Sequence, residues 1–238
     1  MNDAKIIALT NPILSAWETQ TERPIGAEAF IAYTARVSNP SNQHNTLTAP
    51  KLLSYLIKNK HWSPFEMVSI TMEINTTRDI SHQIIRHRSF SFQEFSQRYA
   101  DPTKDMSFVT REARLQDAKN RQNSIEVDDN TVLDPKTLMN SRWLKEEWDK
   151  KQQAVIDAAN EAYKWATNYK IAKEQARAVL PEGLTTTRLY MSGTLRSWIH
   201  YIDVRAEAGT QKEHRQVALA AQKEILQHFP SLRDYWQE

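Results

Sequence analysis

Three observations predict a mixed α/β fold. One stretch alternates apolar and polar residues with β-branched content, helical apolar spacing flanks it on both sides, and the carboxyl half shows only helical periods. The alternating stretch is Met67-Val68-Ser69-Ile70-Thr71-Met72-Glu73-Ile74, a half-buried strand. Ahead of it, Glu28 to Ser38 and residues 49–59 read as helices, the second placing Leu52, Leu53, Leu56 and Ile57 on one stripe. Pro64 closes a short turn, His61-Trp62-Ser63-Pro64, before the strand. Asn75 and two threonines end it, and Asp79 to Arg88 carries a helical pattern through Ile80, Ile84 and Ile85.

From Asp101 to about Asn140 the chain is polar, charged and weakly periodic. It reads as a long excursion, with one short strand at Phe108-Val109, from a single domain spanning residues 1–238. Helices resume from Trp143 to about Tyr169, with Trp148, Val155, Ala159, Ala162 and Trp165 expected inside. A shorter helix, Ile171 to Leu180, stops at Pro181, and Leu195 to Arg205 and Lys212 to His228 complete the helix-rich half.

Composition excludes several chemistries. The chain has no cysteine, so disulfides, cysteine zinc sites, iron–sulfur clusters and thiolate nucleophiles are absent. Its four glycines, Gly26, Gly183, Gly193 and Gly209, are too scattered for a dinucleotide-binding turn or a P-loop, so side chains must grip any phosphate. With 40% hydrophobic and 25% charged residues, 238 residues make an ordinary globular chain with one core. No apolar run nears the ~18 residues of a membrane helix and no signal peptide opens the chain, so a cytoplasmic enzyme or binding protein is expected, without a membrane partner. A net charge of +2 gives no general pull toward nucleic acid, and any anion site is therefore local. His44, His82, His214 and His228 have no ligand spacing and read as exposed or satisfied core histidines, so no metal site is expected. Trp143, Trp148 and Trp165 read as core, while Trp62 and Trp198 are placed to line a pocket.

The most unusual stretch is Arg86-His87-Arg88-Ser89-Phe90-Ser91-Phe92-Gln93-Glu94-Phe95-Ser96-Gln97-Arg98-Tyr99. Its three arginines, with one acid and no lysine, suit phosphate and planar oxygen acceptors rather than a solvated helix face, and its aromatics suit a flat ring. The plainer alternative is a salt-bridged helix end or a nucleic-acid patch. Arg86-His87-Arg88, seven intervening residues, then Ser96-x-Arg98 resembles the signature of flavin-dependent thymidylate synthases. Ala35-Arg36-Val37-Ser38, His61-x-Ser63-Pro64-Phe65-Glu66, Gln83, Arg177-x-Val179-Leu180-Pro181 and Leu195-Arg196-Ser197 with His200 and Arg205 are similar to other fixed points of that family.

The resemblance implies a central sheet wrapped by helices, in a homotetramer whose sites are shared between subunits. It implies reductive methylation of deoxyuridylate (dUMP) to thymidylate, with 5,10-methylenetetrahydrofolate as carbon donor and NADPH reducing a bound FAD. By the same resemblance His61, Ser63, Arg86, His87, Arg88, Glu94, Thr194, Leu195, Arg196 and His200 contact FAD. Gln83, Arg86, Glu94, Phe95, Ser96, Gln97, Arg98, Arg177 and Arg205 hold dUMP, with Arg205 as the catalytic group that polarises the pyrimidine and makes carbon 5 nucleophilic. Arg98 and Arg177 make good phosphate forks, while Ser96 has no adjacent base and reads as a hydrogen-bond donor. Departures from the family pattern stand at Thr194, His200 and Gly209.

Helix geometry adds one expectation. Arg196 and His200 are four apart and share a face, whereas Arg205, nine positions beyond Arg196 at about 100° each, points the opposite way and is expected to serve another subunit's pocket. Two other classes compete with the enzyme: a single-strand nucleic-acid module, which needs basic residues over a longer surface than this compact cluster, and a catalytically inactive nucleotide-binding relative.

Overall fold

The computed structural model describes residues 2–13, 26–128, 132–134 and 139–237. Strand β1 (Asp3–Leu9) is followed by helices α1 (Ala27–Ala35) and α2 (Ala49–Lys58), strand β2 (Ser69–Thr77), helix α3 (Arg78–Ile84), strand β3 (Ser91–Glu94) and the single turn α4 (Pro102–Asp105). Two short antiparallel pairs come next, β4 (Arg114–Gln116) with β5 (Ser124–Glu126) and β6 (Val132–Asp134) with β7 (Met139–Asn140). The long helix α5 (Ser141–Asn168), the short α6 (Lys173–Ala176), strand β8 (Thr186–Thr194) and helices α7 (Leu195–Arg205), α8 (Lys212–His228) and α9 (Arg233–Gln237) complete the order.

Four strands form an antiparallel sheet in the order β1-β2-β8-β3. Alternation dictates its two faces. Ile70, Met72 and Ile74 of β2 sit opposite Gly193, Met191 and Leu189 of β8, and the five larger side chains among them are fully buried. On the other face the cross-strand pairs are polar: Thr71 Oγ1 donates to Ser192 Oγ at 2.9 Å, Tyr190 OH to Glu73 at 3.2 Å and Arg188 Nε to Asn75 at 3.1 Å. The apolar face is covered by Leu195, Trp198, Ile199 and Ile202 of α7 and by Val217, Ala218, Ala221 and Ile225 of α8, with α1 and α2 packed beside them in the same core. The expected mixed α/β architecture is therefore present, with its sheet antiparallel.

Several boundaries match the sequence reading, and the differences have physical causes. Helices α7 and α8 begin and end where their periods do, and Thr194 caps α7 by accepting from the Ser197 N–H at 3.2 Å. The helix expected over Asp79 to Arg88 ends at Ile84, because the chain then turns to feed β3. Phe108-Val109 makes one isolated bridge to Thr185 rather than a strand, and the expected helix Ile171 to Leu180 splits into α6 and a 3-10 turn, Arg177–Val179. Trp198, expected to line a pocket, is instead fully buried in the core and donates Nε1–H to the Ile70 carbonyl at 3.1 Å.

The largest correction concerns α5. Trp148, Val155 and Trp165, expected inside, are 45%, 49% and 57% exposed, and Trp143 lies outside with them. The inward face holds Ala159, as expected, together with Gln152, Ile156, Tyr163 and Ala166. Gln152 is buried because its amide brackets the Arg111 backbone, accepting at 2.8 Å and donating at 2.9 Å. The excursion is anchored by charge: Arg111 reaches Asp79 and Thr77, each at 2.6 Å, and Arg114 pairs with Glu213. Residues 129–131 and 135–138 of the expected excursion lie outside the described residues.

Candidate active site

The arginine-rich stretch is a helix end, an edge strand and a turn. His87 N–H bonds the Ile84 carbonyl at 3.0 Å, β3 pairs with β8, and Tyr99 and Ala100 close back on the Ser96 carbonyl at 3.2 and 3.1 Å. The aromatics Phe90 and Phe92 anchor this segment to the core rather than flank an open slot, and the Phe90 ring stacks edge-on against Trp198 at 4.9 Å. Gly193 makes room for it: a Cβ there would stand 2.4 Å from the Phe90 ring. The backbone is held from inside, so the guanidiniums point outward.

The expected site residues fall into three groups within one chain. In the first, Arg205 at the end of α7 donates Nε–H to His87 Nε2 at 3.0 Å, and His87 stacks edge-on against Tyr201 at 5.0 Å. Arg205 thus meets the motif of its own chain. In the second, Arg196 and His200 line one cavity of about 560 Å³ with Lys60, Trp62, Glu66, Ser89, Ser197 and Asp203, as their shared helix face predicts. Arg196 pairs there with Glu66. His61 and Ser63 border this region, exposed, just after Lys60 turns the chain at φ 56°. The third lies along α6: Arg98 pairs with Glu174 at 3.2 Å, Lys173 donates to the Tyr99 carbonyl at 2.9 Å, and Arg177 opens the following 3-10 turn.

The remaining positions are structurally committed. Glu94 accepts from Ser81 and Thr187, each at 2.9 Å, and from Arg78 at 3.4 Å. Ser96 Oγ accepts from the Arg98 N–H at 3.4 Å, Phe95 N–H bonds the Arg188 carbonyl at 2.9 Å, and Gln97 is buried. Leu195 is a core side chain, which leaves only its backbone for a ligand, and Thr194 caps α7.

Among the described residues no carboxylate pairs with Arg86, Arg88, Arg177 or Arg205, while Arg98 and Arg196 of the same groups pair with Glu174 and Glu66. Unpaired guanidiniums held on a fixed backbone are poised for an anion. His87 is pushed down to about 4 by burial and then by the nearby positive charges of Arg205, His200 and Arg86, so its imidazole is neutral and can accept from Arg205.

Residues read as bland belong to the same neighbourhood. Fully buried His214 contacts Gln83 Oε1 through Nδ1 at 3.2 Å and the Tyr201 hydroxyl through Nε2 at 3.1 Å, and Gln83 bonds Gln211 at 2.8 Å. The available signal was Gln211-x-Glu213-His214, three polar residues at the buried start of an amphipathic helix.

Sheet, cavity and unpaired guanidiniums define a class, an α/β protein whose anion-binding surfaces are built from side chains. Residues 21–231 match the family described as "Thymidylate synthase complementing protein" (Thy1). The flavin-dependent thymidylate synthase of Synechocystis sp. is 46% identical over 97% of each chain, and the probable flavin-dependent thymidylate synthase of Paramecium bursaria Chlorella virus 1 is 45% identical over 96% of each. Among solved structures, the UMP/dUMP methylase PolB from Streptomyces cacaoi, crystallised with 5-Br dUMP, shares the fold at a TM-score of 0.71 and 20% identity, over 98% of this chain and 93% of its own. The chain belongs to the flavin-dependent thymidylate synthase family and is an enzyme with a flavin cofactor.

Proposed function

We propose that the chain, acting as one domain in the cytoplasm, methylates dUMP reductively to thymidylate, with 5,10-methylenetetrahydrofolate as carbon donor, NADPH as reductant and FAD as the flavin. The observation that carries this reading is the Arg205–His87 bond, which joins the end of α7 to the arginine-histidine motif. The donor set fits a flavin dinucleotide: the cavity holding Arg196 and His200 also offers an indole, Trp62, and Arg86 and Arg88 stand without carboxylates. His61, Ser63, Arg86, His87, Arg88, Glu94, Thr194, Leu195, Arg196 and His200 would hold the cofactor, which when bound supplies the hydride that reduces the transferred carbon.

The chain's own residues bind and polarise. Arg98 and Arg177 would fork the nucleotide phosphate, with Glu174 exchanged for it at Arg98. Gln83, Arg86, Glu94, Phe95, Ser96 and Gln97 would complete the dUMP site. Neutral His87 fixes Nε of Arg205 and leaves the two Nη groups to favour loss of the pyrimidine ring-nitrogen proton, so that carbon 5 gains nucleophilicity by electrostatics. Division of the site into three groups, together with the exposed apolar face of α5, supports a homotetramer with sites shared between subunits and Arg205 serving a pocket completed by a neighbour.

Purified protein is expected to be yellow, with the visible band of oxidised flavin. A colourless preparation that takes up no added FAD overturns the reading. Arg205→Ala should abolish tritium release from dUMP labelled at carbon 5 while flavin stays bound, and unchanged release removes Arg205 from the activating role. Arg98→Ala should weaken dUMP binding; if binding stays intact, the phosphate fork is elsewhere.

A further inference from the structure

A line of hydrogen bonds runs from the excursion to Gln83. Arg114 donates to Glu213 Oε1, and Arg111 lies 3.9 Å from Oε2. Gln211 Nε2–H donates to Glu213 Oε2 at 3.1 Å, and Gln83 Nε2–H donates to Gln211 Oε1 at 2.8 Å. His214 Nδ1 meets Gln83 Oε1 at 3.2 Å, and His214 Nε2 meets the Tyr201 hydroxyl at 3.1 Å. His214 and Tyr201 are fully buried, so each of their polar atoms must be satisfied within this line.

Amides flip and imidazoles change tautomer, yet here only one direction works. Burial raises Glu213, but the Arg114 hydrogen bond, its own backbone N–H and the charges of Arg114 and Arg111 outweigh this, and it stays an acceptor-only carboxylate. Gln211 must therefore turn its NH₂ toward Glu213 and its oxygen toward Gln83. Gln83 must then give one N–H to Gln211 and turn its own oxygen toward His214. Burial, then Arg205 and His87, hold His214 down to about 3, so it is neutral with a single N–H, and the bond to Gln83 puts that proton on Nδ1. Nε2 then accepts from Tyr201, whose hydroxyl burial keeps protonated against the pull of Arg205. Reversing Gln211 would set its oxygen against the Glu213 carboxylate, and reversing Gln83 or His214 alone would set acceptor against acceptor at the next link.

We infer that Glu213, Gln211 and His214 are positioning residues that lock the Gln83 amide, fixing which end is N–H and which is oxygen, so that the hydrogen left on Nε2 donates to the carbonyl edge of a uracil and meets no acceptor on the amino edge of a cytosine. The inference rests on the proposed placement of Gln83 against dUMP. A donor facing the amino group leaves both unpaired, which is how a buried hydrogen-bonding site rejects an analogue.

His214→Leu removes the Nδ1–H and frees Gln83 to flip, whereas His214→Asn keeps an N–H near the place of Nδ1. For His214→Leu the KM for dUMP should rise about 3- to 10-fold, the loss of one neutral hydrogen bond, with kcat falling less and inhibition by dCMP strengthening by a similar factor. His214→Asn should restore both. Equal losses in the two variants, in step with melting temperature and flavin content, would assign His214 to packing and overturn the inference. So would wild-type values in both. Nitrogen chemical shifts of histidine-labelled wild-type protein give a second arm independent of substrate, and should show His214 as the Nδ1–H tautomer; the Nε2–H tautomer overturns the lock. If the tautomer is as inferred and the holoenzyme releases no tritium from dUMP, the functional reading fails while the lock stands.

Discussion

Helix α7 carries one tryptophan and α5 carries three, all on amphipathic helices, and the fold treats them oppositely. Trp198 of α7 lies against the apolar face of the sheet, fully buried with its N–H satisfied. Trp143, Trp148 and Trp165 of α5 are about half exposed, because that helix rests on its own chain through a small cluster, Tyr163, Ala166, Ala176 and Leu180 with Phe108. Periodicity reports that a helix has an apolar stripe. It does not report whether the same chain covers it.

The sharpest way to break this comparison is to truncate on each side. Trp198→Ala should cost about 3–5 kcal/mol in urea unfolding. A cost near zero would mean that α7 is not the centre of the core. Gly193→Ala drives a methyl into the Phe90 ring and should cost about 1–3 kcal/mol by the same measurement, with flavin content falling as the motif shifts.

Acid unfolding tests the buried polar side of α8. His214 titrates near 6.5 when unfolded and is held down to about 3 when folded, so between those values the unfolded chain binds a proton that the fold refuses. Its contribution is complete above about pH 6.5 and is lost as pH falls toward 3, by up to about 1.4 kcal/mol per pH unit, and His87 adds the same sign down to about 4. His214→Phe should flatten this slope in urea titrations at several pH values, and an unchanged slope would mean that other groups carry it.

On α5, Trp148→Ser combined with Trp165→Ser should leave helical circular dichroism intact while lowering the mass seen in sedimentation. Retained mass with lost helix would make that face core after all. Glu147→Ala, which removes an exposed pair with Lys150 at 2.8 Å, should leave the unfolding midpoint in place.

Legibility followed local periodicity. Lys212–His228 and Leu195–Arg205 could be read because an unbroken helical apolar period marks both, with a threonine cap ahead of the second. Strand β1 could not, since a bulge after Ile6 breaks its alternation, and β8 opens on two threonines and ends beside a glycine. Strand β3 was hidden inside a stretch that composition marked for binding. In the site, Arg86, His87, His200 and Arg205 were legible as a motif, and of these His87 and Arg205 are bonded to each other. Gln211, Glu213 and His214 were not, because a polar residue on a helix face has no partner until another element supplies Gln83 and Arg114.

The amino-acid sequence alone determined the absence of thiol chemistry, the reliance on side chains for any phosphate, the family motif and the amphipathic helices, since these depend on residue identity and short-range spacing. Tertiary structure decided which apolar stripe was covered, which arginines were paired with a carboxylate and which way each amide and imidazole in the line from Glu213 to Tyr201 points. Those outcomes depend on distances between residues far apart in the chain, such as Gln83 and Gln211, and only folding brings such pairs within hydrogen-bonding reach.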